Sequence, residues 1–164
     1  MPPPRHANAR LLAYPELDKE HDSEPRIASG RAYSTSKLCN VLTARALAAS
    51  PEAAAKRWRV VSYSPGPTPG TGLMRNTPVV FRAMWAVVGW PGVRNFFPRF
   101  SSSHTAGKTL ANLVLGVIGI PQGRVYTVLR KNRLDWPQLS ELASRDDVMT
   151  ALWKDSATLI GLSE

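Results

Sequence analysis

Cys39 is the only cysteine among the 164 residues, so no disulfide can form within the chain, and the reducing cytosol is the compartment that suits it. No apolar run is long enough to cross a bilayer. The most apolar stretch, Ala83 to Val93, is interrupted by Gly89 and Pro91-Gly92 and bounded by Arg82 and Arg94, whereas a spanning helix needs about 20 apolar residues. The opening Met1-Pro-Pro-Pro-Arg-His6 lacks the apolar core of a signal peptide. Histidines are few: His6, His21 and His104 are scattered and make no ligand spacing with Cys39, so no metal site is expected.

Acidic residues are scarce in one part of the chain only. Residues 1–32 carry five basic and five acidic side chains, residues 33–164 sixteen and seven, so the formal charge of +9 falls entirely in the latter. Such an excess favours anionic partners, whether phosphate groups, nucleic acid or an acidic ligand, although a solvated basic surface is the simpler account. The apolar fraction of 43% and charged fraction of 20% are those of a folded globular protein, which excludes disorder for most of the chain.

Residues 1–32 read as a loop, with five prolines, alternating charges and no sustained apolar period. From Tyr33 to Ala49 the pattern is helical: Leu38, Val41, Leu42 and Ala46 recur at helical spacing and Pro51 stops the run. Arg59 to Ser64 reads as a buried strand ended by Pro65-Gly66, and residues 65–78 as a Gly/Pro/Thr loop. Residues 79–100, apolar and aromatic with three arginines, suit one or two short helices over a cleft. Ser102-Ser103 can cap a helix from Thr105 to Leu115. Gly123 to Leu129 reads as a second strand, and Gln138 to Leu162 as one or two helices with Leu139, Leu142, Val148, Met149, Leu152 and Ile160 as candidate core. The alternation of helix and strand predicts a parallel α/β arrangement, although two strands make a poor sheet alone.

The chemistry starts at Tyr33-Ser-Thr-Ser-Lys37. A spacing of four puts both side chains on one face of a helix, one turn apart. An ammonium close to a phenol stabilises the phenolate, and a phenol so tuned can exchange a proton with a carbonyl or alcohol oxygen. Taken alone, a Tyr and a Lys four apart are common, and an exposed helical pair is the simpler account. Cys39, two residues past Lys37, points away from that face and reads as a small buried apolar group.

Ala32-Tyr-Ser-Thr-Ser-Lys-Leu-Cys-Asn40, followed by a helix, a short strand and Tyr63-Ser-Pro-Gly66, resembles the catalytic helix and following strand of the short-chain dehydrogenase/reductase family. Ser36-Lys-Leu-Cys-Asn40, Thr71-Gly-Leu-Met-Arg75, Gln138-Leu-Ser-Glu-Leu-Ala-Ser144 and Ile160-Gly-Leu162 bring the likeness nearest to the protochlorophyllide-reductase-like branch, over most of residues 32–162. The resemblance implies the C-terminal portion of a doubly wound Rossmann-type parallel sheet and an NAD(P)-dependent oxidoreductase. In it Tyr33 is the acid/base, and Lys37 tunes it and holds the nicotinamide ribose. Pro65, Gly66, Thr68 and Thr71 neighbour the cofactor, NADP or NAD with NADP favoured. Phe81, Trp85, Trp90, Phe96, Phe97 and Phe100 lie in the family's substrate-covering segment, where they would face a small apolar or aromatic substrate; ordinary packing, or apolar surface left bare, explains them as well. Residues 1–32 match the branch's long insertion before the tyrosine.

The sequence departs from the family in its front half. The glycine-rich turn, the Asn-Ala-Gly strand end and the substrate-polarising serine or threonine are absent, and Ser23 and Ser29 lie too close to Tyr33 to replace the last. The nucleotide-binding half is thus expected to be missing, to be supplied by a longer chain or a complementing partner; a homodimer is a further expected partner. Gly66, Gly70 and Gly72 match G-x-x-x-G-x-G, but Pro67, Pro69 and Pro78 oppose the helix that a phosphate-binding turn requires, so a loop is expected. Arg130-Lys-Asn-Arg133 reads as an exposed turn. The alternative from another class is a non-catalytic basic module for nucleic acid or an acidic partner, although no recognised nucleic-acid motif occurs. A third is a chain that folds poorly and has no activity.

Overall fold

In the computed structural model, which describes residues 1–68, 79–89, 92 and 101–162, the elements in chain order are as follows. Helix α1 (Ala9–Ala13) and a 3-10 turn (Pro15–Leu17) precede the long α2 (Pro25–Ala49) and the short α3 (Pro51–Ala55). Strand β1 (Ser62–Ser64), α4 (Val79–Gly89), α5 (Ser103–Val114), β2 (Tyr126–Arg130) and β3 (Arg133–Asp135) follow, then α6 (Glu141–Ser144) and α7 (Asp146–Leu159). The fold is mixed α/β and divides into two units: Met1–Ser62 with Gln138–Glu164, and Tyr63–Pro137.

The first unit is helical and is organised by α2. Pro25 occupies its first turn, where the missing N–H costs no hydrogen bond. The helix stops at Ala49, because Pro51 follows and Ser50 instead starts α3, its Oγ accepting from the Ala53 N–H at 3.1 Å. Between these ends Thr35, Leu38 and Leu42 form a buried stripe at i, i+3 and i+7. α2 packs on α7, which brings Leu38 and Leu42 together with Leu152, Ala143, Ala7 and Ala9 in one cluster. Cys39, Val41, Leu139, Leu142, Val148 and Met149 pack around it, half-buried. The guanidinium of Arg45, only 16% exposed, closes the α6–α7 corner. It donates to the Ala143 carbonyl at 2.9 Å and the Arg145 carbonyl at 3.3 Å, and pairs with Asp146.

Three expectations change here. Residues 1–32 are not a structureless loop: they hold α1, the 3-10 turn and the first two turns of α2, and they bury Ala7 and Ala9. Alternating charge hid these elements, since their burial rests on contacts with the other end of the chain rather than on a local apolar period. Tyr33 is consequently not at the head of its helix but eight residues inside it. Ile160 leaves the expected core and is 72% exposed. It caps α7, and Gly161 (φ 74°) turns the chain away in the left-handed region, with the Leu162 N–H returning to the Ala157 carbonyl.

The opening residues are tied down by carboxylates. Asp22 accepts from Arg31 Nε at 2.6 Å and Nη2 at 3.2 Å and from Arg5 Nη2 at 2.8 Å, while Arg31 also donates to the Pro3 carbonyl. The hydrogen bond from Arg31 holds the Asp22 carboxyl below its ordinary value. The backbone N–H of Glu20, then His6 at 3.3 Å, does the same for Asp18. Beside Arg145, Asp147 falls to about 2. A carboxyl with a lowered folded-state pKa binds more protons when unfolded, so its contribution is complete above about pH 4 and is lost as pH falls through the folded value. The melting temperature is therefore expected to decline between about pH 4 and 2, with a smaller decline in Asp22→Asn. A melting temperature that is level across that window would contradict these assignments.

The second unit carries a three-stranded mixed sheet in the order β1-β2-β3, with β1 and β2 parallel and β2 and β3 antiparallel. β2 is central, and Thr127, Val128 and Leu129 are all buried, as expected of a strand covered on both faces. The expected strands are shorter than their sequence patterns: Ser62–Ser64 within 59–64, and Tyr126–Arg130 in place of 123–129. β3 is a strand that the sequence pattern did not predict. Lys131 (φ 50°) and Asn132 (φ 60°) make a two-residue left-handed turn, so Arg130 pairs with Arg133 and Leu129 with Leu134. Such turns are signalled by Asn-Gly or Asp-Gly, and Lys-Asn conceals one. The basic cluster is nonetheless the exposed turn expected.

α5 matches its predicted cap. The Ser102 Oγ accepts from the Thr105 N–H at 3.0 Å, and Ala106 and Leu113 form the buried side of the helix. Tyr63 donates from its hydroxyl to the Ala106 carbonyl at 3.1 Å, and burial pushes its phenol pKa up. Ser102→Ala is expected to cost about 1 kcal/mol in urea denaturation, with Ser102→Asp close to neutral; equal losses in both would show that the cap bond is immaterial.

Candidate functional site

α2 presents its two chemistry-bearing side chains on the side away from its core. At about 100° per residue, Tyr33 and Lys37 fall roughly opposite the Thr35, Leu38 and Leu42 stripe. Tyr33 is 42% exposed and Lys37 is exposed. Lys37 Nζ lies 5.2 Å from the centroid of the Tyr33 ring, within the range of a cation–π contact. The serines of this segment do not compete for the pair. Ser29, Ser34 and Ser36 each donate back to a carbonyl one turn earlier, at Arg26, Gly30 and Tyr33. Ser29 is thereby occupied with its own helix, and Ser23 lies in the turn ahead of it.

Cys39 sits on the core side, half-buried against Leu38 and Leu42, and burial pushes its thiol up. Its environment is that of a small packing group. Among the described residues no group of three or more His, Cys, Asp or Glu side chains is placed to hold a metal ion.

The expected cofactor neighbours lie in the second unit, in the turn after β1. Gly66 adopts φ 68°, a left-handed conformation that glycine takes without strain. Pro65 and Gly66 are half-buried, and Thr68 is buried at 6%, its Oγ1 donating to the Gly66 carbonyl at 3.1 Å. The Pro67 carbonyl accepts from the Ser101 N–H. Thr71 falls outside the described residues, as do Gly70, Gly72, Trp90, Phe96, Phe97 and Phe100. Tyr33 and Lys37 are thus brought together by one helix, and Pro65, Gly66 and Thr68 by one turn.

Two shallow clefts of the first unit, about 380 and 270 Å³, involve other residues: Pro3, Arg5 and Asn8 on one side, Glu141, Leu142 and Arg145 on the other. Nothing in the sequence signalled them, because their walls come from the two ends of the chain. Neither is lined by Tyr33 or Lys37. No family model matches the chain, and no curated protein matches it.

Proposed function

We propose that this chain contributes the acid/base pair of an NAD(P)-dependent oxidoreductase of the short-chain dehydrogenase/reductase type, and the C-terminal portion of that family's doubly wound sheet. The observation that carries the reading is Lys37 Nζ lying 5.2 Å from the Tyr33 ring centroid on the exposed side of α2. By the family's pattern Tyr33 accepts a proton from an alcohol or returns one to a carbonyl oxygen, with the Lys37 ammonium beside its ring.

The pair fits a nicotinamide ribose. Among the described residues neither the Tyr33 hydroxyl nor the Lys37 ammonium is engaged in a hydrogen bond or ion pair, so both can meet sugar hydroxyls. NADP or NAD, when bound, supplies or takes up the hydride. Pro65, Gly66, Thr68 and Thr71 are assigned to its neighbourhood, and residues 79–100 to covering a small apolar or aromatic substrate. The diphosphate needs amides converging at a helix N-terminus, and the family's glycine-rich turn is not among the 164 residues. A complementing nucleotide-binding segment therefore completes the site.

The test joins the family's nucleotide-binding half ahead of Met1 and follows NADPH oxidation with flat apolar aldehydes and ketones. Turnover is expected from the joined protein, and no saturable NADPH or NADH binding from the 164-residue chain in isothermal titration. Saturable binding by the chain alone would overturn the need for complementation. A joined protein that binds NADPH yet reduces no carbonyl would overturn the oxidoreductase reading itself.

A further inference from the structure

The chain's positive charge is concentrated in one of its two units. Tyr63–Pro137 contains nine lysines and arginines against one acidic residue, Asp135. That acid is already engaged by Arg130 at 3.3 Å, which leaves Lys108, Lys131 and Arg133 exposed and without an ion pair among the described residues. The other unit is almost balanced, with twelve basic and eleven acidic residues.

The same unit exposes apolar positions along one helix. All six α4 positions with described side chains are exposed, and all six are apolar: Val79, Val80, Ala83, Met84, Ala86 and Val87. Val79 and Val80 are 73% and 78% exposed, Met84 57% and Val87 54%. At helical periodicity the six span an arc of about 160°, with Val80, Met84 and Val87 in line along it. Exposed Val114 and Leu115 of the α5 end differ, since that helix also exposes Ser103, His104 and Lys108. A helix of 11 residues is about 16 Å long, roughly half the thickness of a bilayer core, and no helix among the described residues is long and apolar enough to cross a membrane.

We propose that α4 docks this protein onto the surface of an anionic lipid bilayer, lying in the interface with its apolar arc among the acyl chains while Lys108, Lys131 and Arg133 of the same unit meet the headgroups. An exposed apolar arc gains by leaving water, and an excess of cations is attracted to a negative leaflet; a unit with both can lie on a membrane without spanning it. Nucleic acid satisfies the charge but offers nothing to a stripe of valines and methionine. The inference is independent of the role assigned to Tyr33 and Lys37.

Co-sedimentation of the full chain with vesicles tests it. The chain is expected to pellet with phosphatidylcholine vesicles containing about 30% phosphatidylserine, about tenfold more strongly than with phosphatidylcholine alone, and to be released as salt is raised. Val80→Glu with Val87→Glu is expected to lower partitioning about tenfold, with an unchanged circular dichroism spectrum because both positions are exposed. Val114→Glu, at an equally exposed site of α5, is expected to leave it unchanged. Failure of the parent chain to pellet with anionic vesicles would overturn the proposal. So would equal binding by the double variant, or salt-sensitive binding to single-stranded RNA in place of vesicles.

Discussion

Tyr33→Phe is expected to lower turnover of the complemented enzyme by about 10²–10⁴-fold, the usual contribution of a positioned acid/base. Phenylalanine keeps the ring and its contact with Lys37 and removes only the hydroxyl that carries the proton. Stability is expected to stay within about 0.5 kcal/mol of the parent, because the side chain is 42% exposed and lies opposite the buried stripe of α2. The two readouts together separate chemistry from folding. Lys37→Met gives a second check: if the ammonium both assists Tyr33 and holds the ribose, kcat falls and the KM for NADPH rises. Turnover unchanged in Tyr33→Phe would remove the residue from the chemistry.

Leu42→Ala is expected to be the most destabilising single change in the first unit, at about 2–5 kcal/mol. Leu42 is fully buried and sits about two-thirds of the way along α2, in the cluster that joins Leu38 to Ala143, Leu152, Ala7 and Ala9. Truncation removes apolar area and leaves a cavity that three separate chain segments border. Small domains have only about 5–15 kcal/mol to lose, so a large share of stability depends on this residue. Urea denaturation followed by circular dichroism would measure it, with Val148→Ala, at a half-buried position, losing less. A loss below about 1 kcal/mol would mean that this cluster does not hold the unit together.

How much of the site was legible follows from the range of the forces involved. The Tyr33/Lys37 pairing was readable because a four-residue spacing on a helix decides it locally. The cap of α5 by Ser102 and the stop of α2 before Pro51 were readable for the same reason, each being a matter between near neighbours. The start of α2 at Pro25 was not, since its first turns are supported by Arg31, Asp22 and Arg5 rather than by an apolar period. β3 was hidden by a left-handed Lys131-Asn132 turn whose residues do not announce it.

By itself the sequence determined the absence of an intrachain disulfide, the order of most helices and strands, the shared face of Tyr33 and Lys37, and a positive charge lying beyond residue 32. Tertiary structure alone decided that this pair lies opposite the buried Leu38 and Leu42 stripe, that residues 1–32 help to build the core, and that the charge falls in Tyr63–Pro137, the unit that also holds the exposed apolar positions of α4. The physical reason is that spacing and capping act over a few residues, whereas burial is settled by partners such as Ala7 and Leu152 that the sequence places near opposite ends of the chain.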